Sequence, residues 1–215
     1  MNKSVYIIGG GESLKGFDFS TLQDKDIIAI NSSILDVPMA KYFITMDYTF
    51  IDKKIDKKLF TSFPASKYFV VATNNNYIKF KDNKYTDTRC NYKYDLSLFN
   101  QIIESSHDIG IGENFDEFVH GCNSGYSALQ LAIVLGYKEI YLLGIDMIAN
   151  ESTHYHHTYM TNLNIFKKRL RFYHPYFVIG LGEIAHKHPD IKIYGCTENS
   201  PLNKFIEYKP LGEIS

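Results

Sequence analysis

The chain has 215 residues, of which 45% are hydrophobic and 15% aromatic, a composition that excludes an intrinsically disordered protein. Its 23 Lys and Arg and 24 Asp and Glu give a net charge of −1, so it lacks the basic face that general duplex nucleic-acid binding requires. Three widely spaced cysteines without a CxxC pair, and no apolar run of about 18 residues, lead us to expect a cytoplasmic protein with no disulfide framework and no membrane span. A homo-oligomer is left open.

Short apolar runs rich in β-branched residues recur along the chain and are typical of strands buried on both faces of a sheet. They predict six strands, at 4–9, 26–31, 41–46, 67–73, 138–146 and 190–197. The stretch NSGYSALQLAIVLG (123–136) predicts a helix that Asn123 or Ser124 caps and Gly136 ends. A second helix is predicted over 161–188, with a break near Pro175 because proline cannot donate the helical hydrogen bond.

The alternation of strands and helices predicts an α/β fold. We expect a single Rossmann-like domain over residues 1–215, with a mostly parallel sheet and helices on both faces. Residues 74–120 interrupt this rhythm, because the stretch is polar, tyrosine-rich and poor in periodicity. The sequence therefore predicts an irregular insertion at 74–120 that forms a lid or a short hairpin.

The stretch GGGES (9–13) follows the first predicted strand, at the turn where backbone N–H groups can surround an anion. No GK[ST] sequence follows, which excludes a P-loop, and Leu14 stands where a dinucleotide fingerprint has its third glycine. Asn31 ends the second strand, where NAD-binding proteins have a carboxylate. The pattern favours a nucleotide or nucleotide-sugar site over an NAD site. A tight turn without a ligand is the alternative.

Further polar positions are predicted at the same edge of the sheet. Ser124 begins a helix whose free N–H groups favour an anion, and Gly144 and Asp146 end the strand at 138–146. Because ligands of open α/β sheets bind outside the carboxyl ends of the strands, we expect the nucleotide-binding residues to gather there. They are Gly10, Gly11, Ser13, Asn31, Ser124, Gly144 and Asp146. For Asp146, a loop-capping carboxylate is the alternative.

Three stretches together resemble the bacterial sialyltransferases of glycosyltransferase family 42: GGGESLKGFDFSTL, SGYSALQLAIVLGYKEIYLLGIDM and IKIYGCTENSPLNKFIEY. That family has a GxGPSL-type opening, an SGxxxxxxAxxLGYKEIYLxGID block and an IKLYxxxPNSxxxxFIE-type ending. With the histidine-rich segment after the GID strand, the same stretches are similar to a largely uncharacterised, often phage-encoded group allied to archaeal 6-hydroxymethylpterin pyrophosphokinase. The resemblance covers roughly 1–45 and 122–208 and leaves 74–120 unmatched.

The sialyltransferase resemblance implies a Rossmann-like fold with a lid, which uses CMP-sialic acid and no dinucleotide cofactor. It implies nucleotide contacts at the seven positions named above. The chain departs from the family at Glu12, which replaces the proline of GPSL, and at 121–123, where the family's arginine is missing. We also expect it to lack the family's membrane-associating C-terminal extension. A carboxylate at Glu12 disfavours donors with two phosphates unless a metal ion intervenes.

The segment STHYHHTY (152–159) holds three of the chain's eight histidines, His154, His156 and His157. Three roles compete: a general base, a metal site in which His154 and His156 act with Asp146, and an exposed loop that does little. The resemblance implies a histidine base in an HYxxH-like segment. Because HYHH is one residue shorter, either His156 or His157 takes its place. It also implies tyrosines that hold the leaving phosphate, here Tyr155 or Tyr159.

Only the residues IANEST separate this cluster from a strand that ends at the predicted ligand edge, which favours a base or a phosphate contact. We therefore expect a nucleotide-sugar-dependent glycosyltransferase that transfers a sugar to the hydroxyl of a saccharide or other acceptor and requires no cofactor besides its donor. Two alternatives stay open. One is pyrophosphoryl transfer from ATP with Mg²⁺ held by Asp146 and Glu12, and the other is a nucleotide-binding protein without turnover.

Overall fold

The computed structural model describes residues 3–47, 50, 55–72, 78–81, 84–87, 92–149 and 163–214, and between 78 and 95 it covers strand backbones only. Eight strands form the main sheet: β1 (Ser4–Ile8), β2 (Ile27–Ile30), β3 (Tyr42–Thr45), β4 (Ser66–Ala72), β8 (Gln101–Ser105), β9 (Glu139–Leu143), β10 (Lys192–Gly195) and β11 (Glu207–Tyr208). Their order across the sheet is β11-β10-β9-β1-β2-β3-β4-β8, and all neighbouring pairs are parallel. The predicted α/β fold with a parallel sheet is confirmed.

Two layers of apolar side chains pack on the two faces of this sheet. Along β1, Val5 and Ile7 join one layer, whereas Tyr6 and Ile8 join the other, because successive side chains of a strand point to opposite faces. All four are buried. These four consecutive positions of β1 are therefore all apolar, as expected for a strand of a sheet covered on both sides.

Two helices cover the first face. Helix α2 (Ser124–Val134) begins at Asn123, whose Oδ1 accepts the N–H of Tyr126 at 2.8 Å, and nine of its 11 residues are buried. Helix α3 (Leu163–Lys187) buries Phe177, Gly180, Leu181 and Ile184. The second face is covered by shorter elements: helix α1 (Lys57–Ser62) and 3₁₀ turns at Glu12–Leu14, Phe19–Leu22 and Asn31–Leu35. The prediction of helices on both faces is thus confirmed.

Helix α3 differs from its prediction at Pro175, where we expected a break. The helix runs unbroken from Leu163 to Lys187 with Pro175 inside it. Proline removes one intrahelical hydrogen bond, but Phe177, Leu181 and Ile184 hold the following turns against the core. Burial of this apolar stripe outweighs the lost bond, so the helix continues.

The segment 74–120 is more regular than we expected. Strands β5 (Ile78–Lys81), β6 (Lys84–Asp87) and β7 (Tyr92–Asp95) form a second, antiparallel sheet. Strand β8 does not belong to an insertion at all, because it pairs with β4 as the edge of the main sheet. Beyond it, Phe118 and Val119 are buried in the core of the first face. The departure from the parallel sheet is therefore confined to the stretch between β4 and β8.

None of the helices in the described part of the chain combines the length and the hydropathy that a membrane span needs.

Candidate active site

The order of strands places a crevice between β1 and β9. From β1 the chain builds β2, β3, β4 and β8 on one side, whereas β9, β10 and β11 lie on the other. In an open parallel sheet, ligands bind outside the carboxyl ends of the strands at the point where the order reverses. The loops at that point are the predicted glycine turn, 9–13, and the residues 144–146 that follow β9.

The two loops are joined by backbone hydrogen bonds. The N–H of Gly9 donates to the carbonyl of Leu143 at 2.8 Å, and the N–H of Gly11 donates to the carbonyl of Gly144 at 2.9 Å. These two amides of the glycine turn, and that of Ser13, which donates to Asp146, are therefore used within the protein. The turn extends the β1–β9 pairing past the sheet edge.

Asp146 holds together the loops that form the crevice. Its Oδ1 accepts the hydroxyls of Ser13 at 2.6 Å and Thr197 at 2.7 Å, and its Oδ2 accepts the N–H of Ser13 at 2.9 Å. The side chain is buried, so these bonds compensate for removing its carboxyl group from water. Asp146 thereby ties the loops after β1, β9 and β10 together. These contacts favour the alternative in which Asp146 is a loop-capping carboxylate over direct contact with a ligand.

The glycines of this crevice are required by close packing. A Cβ atom on Gly11 would lie 2.3–2.5 Å from the carboxyl atoms of Asp146, and one on Gly9 would lie 2.5 Å from the carbonyl oxygen of Gly144. Gly144 itself has a φ of +66°, in the left-handed region that favours glycine. No larger residue fits these positions without moving the loop around Asp146.

Asn31 stands at the carboxyl end of β2 with a φ of +52°, a strained backbone for a residue other than glycine. Its Oδ1 accepts the hydroxyl of Thr45 at 2.6 Å, and the N–H of Asp47 donates to the same hydroxyl at 2.9 Å. These bonds orient the amide of Asn31 at the ends of β2 and β3. Its other end, Nδ2, is the donor that a ligand would contact.

Ser124 is held at the start of α2, next to the end of β3. Its Oγ accepts the N–H of Met46 at 3.1 Å. The first N–H groups of the helix have no partners inside the helix and favour an anion nearby. The structure therefore brings together two sets of predicted site residues. One consists of Gly11, Ser13, Gly144 and Asp146, and the other of Asn31 and Ser124, joined through Thr45 and Met46.

A cavity of about 390 Å³ opens beside the first set. Residues of the loops after β1, β9, β10 and β11 line it, including Glu12, Ser13, Asp146, Thr197, Glu198 and Tyr208. Oε2 of Glu12 is buried there without a hydrogen-bond partner in the described part of the chain. Burial raises the pKa of the Cys196 thiol, also in the lining, to about 12, so this thiol is not a nucleophile at neutral pH. The carboxylates of Glu12 and Glu198 make the lining of the cavity acidic.

The predicted catalytic residues His154, Tyr155, His156, His157 and Tyr159 lie outside the described residues, which stop at 149 and resume at 163. Gly10 lies in the glycine turn, as predicted. Our sequence reasoning missed Thr45 and Thr197. Thr45 ends β3, and Thr197 follows β10. A polar residue at the end of an apolar strand is the same signal that indicated Asn31 and Asp146. A threonine is itself β-branched, however, and is not distinct from the strand residues before it.

The fold is similar to that of sialyltransferases. The structure of sialyltransferase CST-II in complex with a trisaccharide acceptor and CMP has a TM-score of 0.57 and 22% identity, over 99% of this chain and 88% of that chain. CstII from Campylobacter jejuni in complex with the substrate analogue CMP-3FNeuAc has a TM-score of 0.54, with the same identity and coverage. The monofunctional alpha-2,3-sialyltransferase Cst-I from Campylobacter jejuni has a TM-score of 0.52 and 16% identity, over 100% of this chain and 82% of that chain.

No protein-family model and no curated protein matches the chain. At 16–22% identity the similar structures establish the fold. The relation to archaeal pterin pyrophosphokinases stays a prediction. The chain thus has the α/β fold of the sialyltransferases CST-II and Cst-I, with a polar crevice at the carboxyl ends of β1 and β9.

Proposed function

We propose that the chain is a glycosyltransferase of sialyltransferase-like fold that takes a nucleotide sugar as donor, with a CMP-sugar as the best match. The observation that carries this proposal is the crevice where the strand order reverses, on a fold shared with proteins whose structures contain CMP. The donor nucleotide would lie across the carboxyl ends of β1, β2 and β9. Asn31 and Ser124 would contact it from one side and the glycine turn from the other.

The acidic lining of the cavity supports a donor with a single phosphate. Glu12 and Glu198 carry like charge toward any phosphate in the cavity, and the repulsion grows with the charge of the leaving group. A CMP leaving group has one phosphate, whereas UDP and GDP have two. We therefore expect CMP-sugars to bind better than UDP- or GDP-sugars in the absence of a metal ion.

The reaction is a displacement at the anomeric carbon. The acceptor oxygen bonds to that carbon, the bond from the carbon to the phosphate oxygen breaks, and the acceptor proton moves to a histidine. His156 or His157 is the proposed base, with His154 as the neighbouring candidate, and Tyr155 or Tyr159 would donate to the leaving phosphate. Free N–H groups at the start of α2 would stabilise the same charge.

The contacts of Asp146 count against Mg²⁺-dependent pyrophosphoryl transfer. That alternative needs Asp146 as a metal ligand, but three donors from Ser13 and Thr197 already occupy its oxygens. Of the two carboxylates that this alternative assigns to Mg²⁺, this leaves only Glu12, which has an oxygen without a hydrogen-bond partner in the described part of the chain. The glycosyl-transfer proposal requires no metal ion, and Asp146 can keep its hydrogen bonds to Ser13 and Thr197.

A thermal-shift series tests the proposal. The protein is melted with CMP, CMP-sialic acid, UDP-sugars, GDP-sugars and ATP, each with and without Mg²⁺. A ligand at 100 times its Kd adds about 2.7 kcal/mol of stability, which gives an easily measured shift. We expect CMP and CMP-sialic acid to stabilise without Mg²⁺. Stabilisation by ATP alone, dependent on Mg²⁺, would establish the pyrophosphokinase alternative, and binding of CMP without sugar transfer would establish a nucleotide-binding protein.

A further inference from the structure

Three side chains with metal-ligating atoms meet where β8 ends and α2 begins. His107 follows β8, and His120 and Cys122 precede the helix cap Asn123. One nitrogen of each imidazole and the thiol sulfur all lie within 4.8 Å of one another. Ligand atoms on one tetrahedral zinc ion lie roughly 3.3–3.8 Å apart, given bonds of about 2.0–2.3 Å, so small side-chain rotations bring all three onto one ion.

The backbone that carries the two histidines is already fixed. The N–H of Ser106 donates to the carbonyl of Phe118 at 2.9 Å, and the N–H of His120 donates back to the carbonyl of Ser106 at 2.7 Å. Gln130 of α2, which is fully buried, exchanges two hydrogen bonds with the backbone of Val119. The loops bearing His107 and His120 are thus clamped side by side before any ion binds, and preorganised ligands bind metals more tightly.

His120 is prepared to act as a ligand. Its Nδ1 is buried and has no hydrogen-bond partner in the described part of the chain, an arrangement that is costly unless something else binds this atom. The rings of His107 and His120 lie 4.9 Å apart between centroids. A buried imidazole nitrogen without a hydrogen-bond partner is placed to bind a metal ion.

Cys122 is held in an unfavourable backbone conformation that turns it toward the histidines. Its φ is +56°, and that of the preceding Gly121 is +60°. Strain of this kind at a residue other than glycine is concentrated at functional sites. The sulfur lies 3.6 Å from the hydroxyl of Tyr176 on α3. Once the thiol is ionised, that hydroxyl can donate to the sulfur and orient it, which is the usual role of a group behind a metal ligand.

We propose that His107, His120 and Cys122 bind one zinc ion, with a water molecule or another exchangeable ligand in the fourth position. Two imidazoles and a thiolate suit a borderline-soft ion, whereas Mg²⁺ and Ca²⁺ prefer oxygen ligands. Three protein ligands with an open fourth position are typical of zinc sites that bind or activate a further group. The site lies beside Ser124 at the carboxyl edge of the sheet, but the proposal does not depend on glycosyl transfer.

Cobalt titration of the metal-free full-length protein tests the proposal, because Co²⁺ replaces zinc and reports a bound thiolate as an absorption band in the near ultraviolet. We expect one Co²⁺ per chain, with the thiolate band, and displacement of Co²⁺ by Zn²⁺. Cys122→Ser should abolish the band. His107→Ala removes an exposed ring, so the fold should persist. It should weaken Co²⁺ binding by more than about 100-fold, because mutating residues that only support a metal ligand already weakens binding by up to about 100-fold.

Matched controls separate this site from other ligands in the chain. Cys90→Ser and Cys196→Ala should retain the thiolate band, and His186→Ala, an exposed histidine on α3, should retain the affinity. A variant with alanine at His154, His156 and His157 should also retain the band. A band that survives in Cys122→Ser, or an unchanged affinity in His107→Ala, would overturn the proposal. So would a wild-type protein that binds Co²⁺ without a thiolate band or does not bind it.

Discussion

The two ends of the main sheet are built on opposite principles. At the amino end, most charged and polar side chains are paired with one another: the carboxylate of Asp26 accepts hydrogen bonds from the ammonium of Lys41, at 2.8 Å, and from the hydroxyl of Tyr137, at 2.5 Å. The ammonium of Lys3 lies 4.0 Å from the ring centre of Tyr137. Asp190 pairs with Lys138 at 2.6 Å. These side chains of the amino end are occupied by one another and present few free polar groups to a ligand.

At the carboxyl end, backbone strain and unpaired polar atoms accumulate. All residues other than glycine with a positive φ, within the described ranges, lie in loops on this side: Asn31, Cys122, Met147 and Asn199. Of the four buried side-chain atoms without a hydrogen-bond partner in the described ranges, three lie at this end, on Glu12, His120 and Asn203, and the fourth, on His188, precedes β10. The same strands run from one end of the sheet to the other. Their packing therefore does not explain why strained residues and unpaired atoms are concentrated at one end. Strain and unpaired atoms mark the end that binds ligands.

The largest effect is expected from changes in the histidine-rich segment STHYHHTY (152–159). Changing the histidine that acts as base to alanine should lower turnover by about 100-fold or more, while donor affinity stays nearly the same, because a base acts only in the transition state. Assays of His154→Ala, His156→Ala and His157→Ala identify the base. Full activity in all three variants would refute the general-base proposal, and loss of bound metal instead would indicate a metal site.

Gly11→Ala should damage the carboxyl end, because its Cβ would enter the space of the Asp146 carboxylate. We expect a loss of about 1–3 kcal/mol of stability, the usual cost of overpacking, and loss of nucleotide binding. The packing around Asp146 thus makes Gly11 important for the fold as well as for nucleotide binding. Gly182→Ala, at an open helical position, is the control and should stabilise by up to about 1 kcal/mol. Equal melting temperatures for both variants would contradict this account.

Asn31→Asp should separate ligand binding from folding. The aspartate keeps an oxygen for the hydroxyl of Thr45 and tolerates a positive φ, so the melting temperature should change little. It replaces the Nδ2 donor with a negative charge, which should weaken binding of a phosphate-bearing ligand by about 1–3 kcal/mol. Calorimetric titration with CMP measures this loss. Thr45→Val is the matched variant, because it removes the hydroxyl that orients Asn31 and adds no charge. Tighter binding by the aspartate variant would point to a contact with ribose hydroxyls instead.

The smallest effect is expected at the amino end. Burial opposes ionisation of Asp26, but hydrogen bonds from Lys41 and Tyr137 outweigh it and lower the pKa of the carboxyl group below its ordinary value of 3.8. Because the folded-state pKa is the lower one, the stabilisation is present above about pH 4 and is lost as the pH falls through the folded-state pKa. Asp26→Asn should cost about 1 kcal/mol or less at pH 7 in urea unfolding, and less at pH 3. It should leave nucleotide affinity unchanged; a large loss of affinity would contradict the comparison of the two ends.

The fold could be predicted because its strands are buried on both faces and therefore appear as continuous apolar runs. Strand β8 could not, because QIIES has three polar residues in five and lies at the edge of the sheet. The path of α3 through Pro175 depends on contacts with the core that are distant in sequence.

The position of the site could be predicted from polar residues directly after buried strands, such as Asn31 and Asp146. Its internal contacts could not. Asp146 takes its partners from Ser13 and Thr197, which lie 133 and 51 residues away, and no local pattern signals such a contact. The same holds for His107 and Cys122, which are brought together by the pairing of the loops after β8 and before α2.

Hydrogen exchange of the backbone amides with and without saturating CMP tests the central claim most directly, because it compares both ends of the sheet in one experiment. We predict slower exchange in the segments 9–13, 31–33, 45–47, 123–126 and 144–146, which lie at the carboxyl ends of the strands. Segments at the amino end, around Asp26, Lys41 and Lys138, should exchange at the same rate with and without CMP. Protection confined to the amino end, or no protection at saturating CMP, would contradict the assignment of the crevice between β1 and β9 as the nucleotide site.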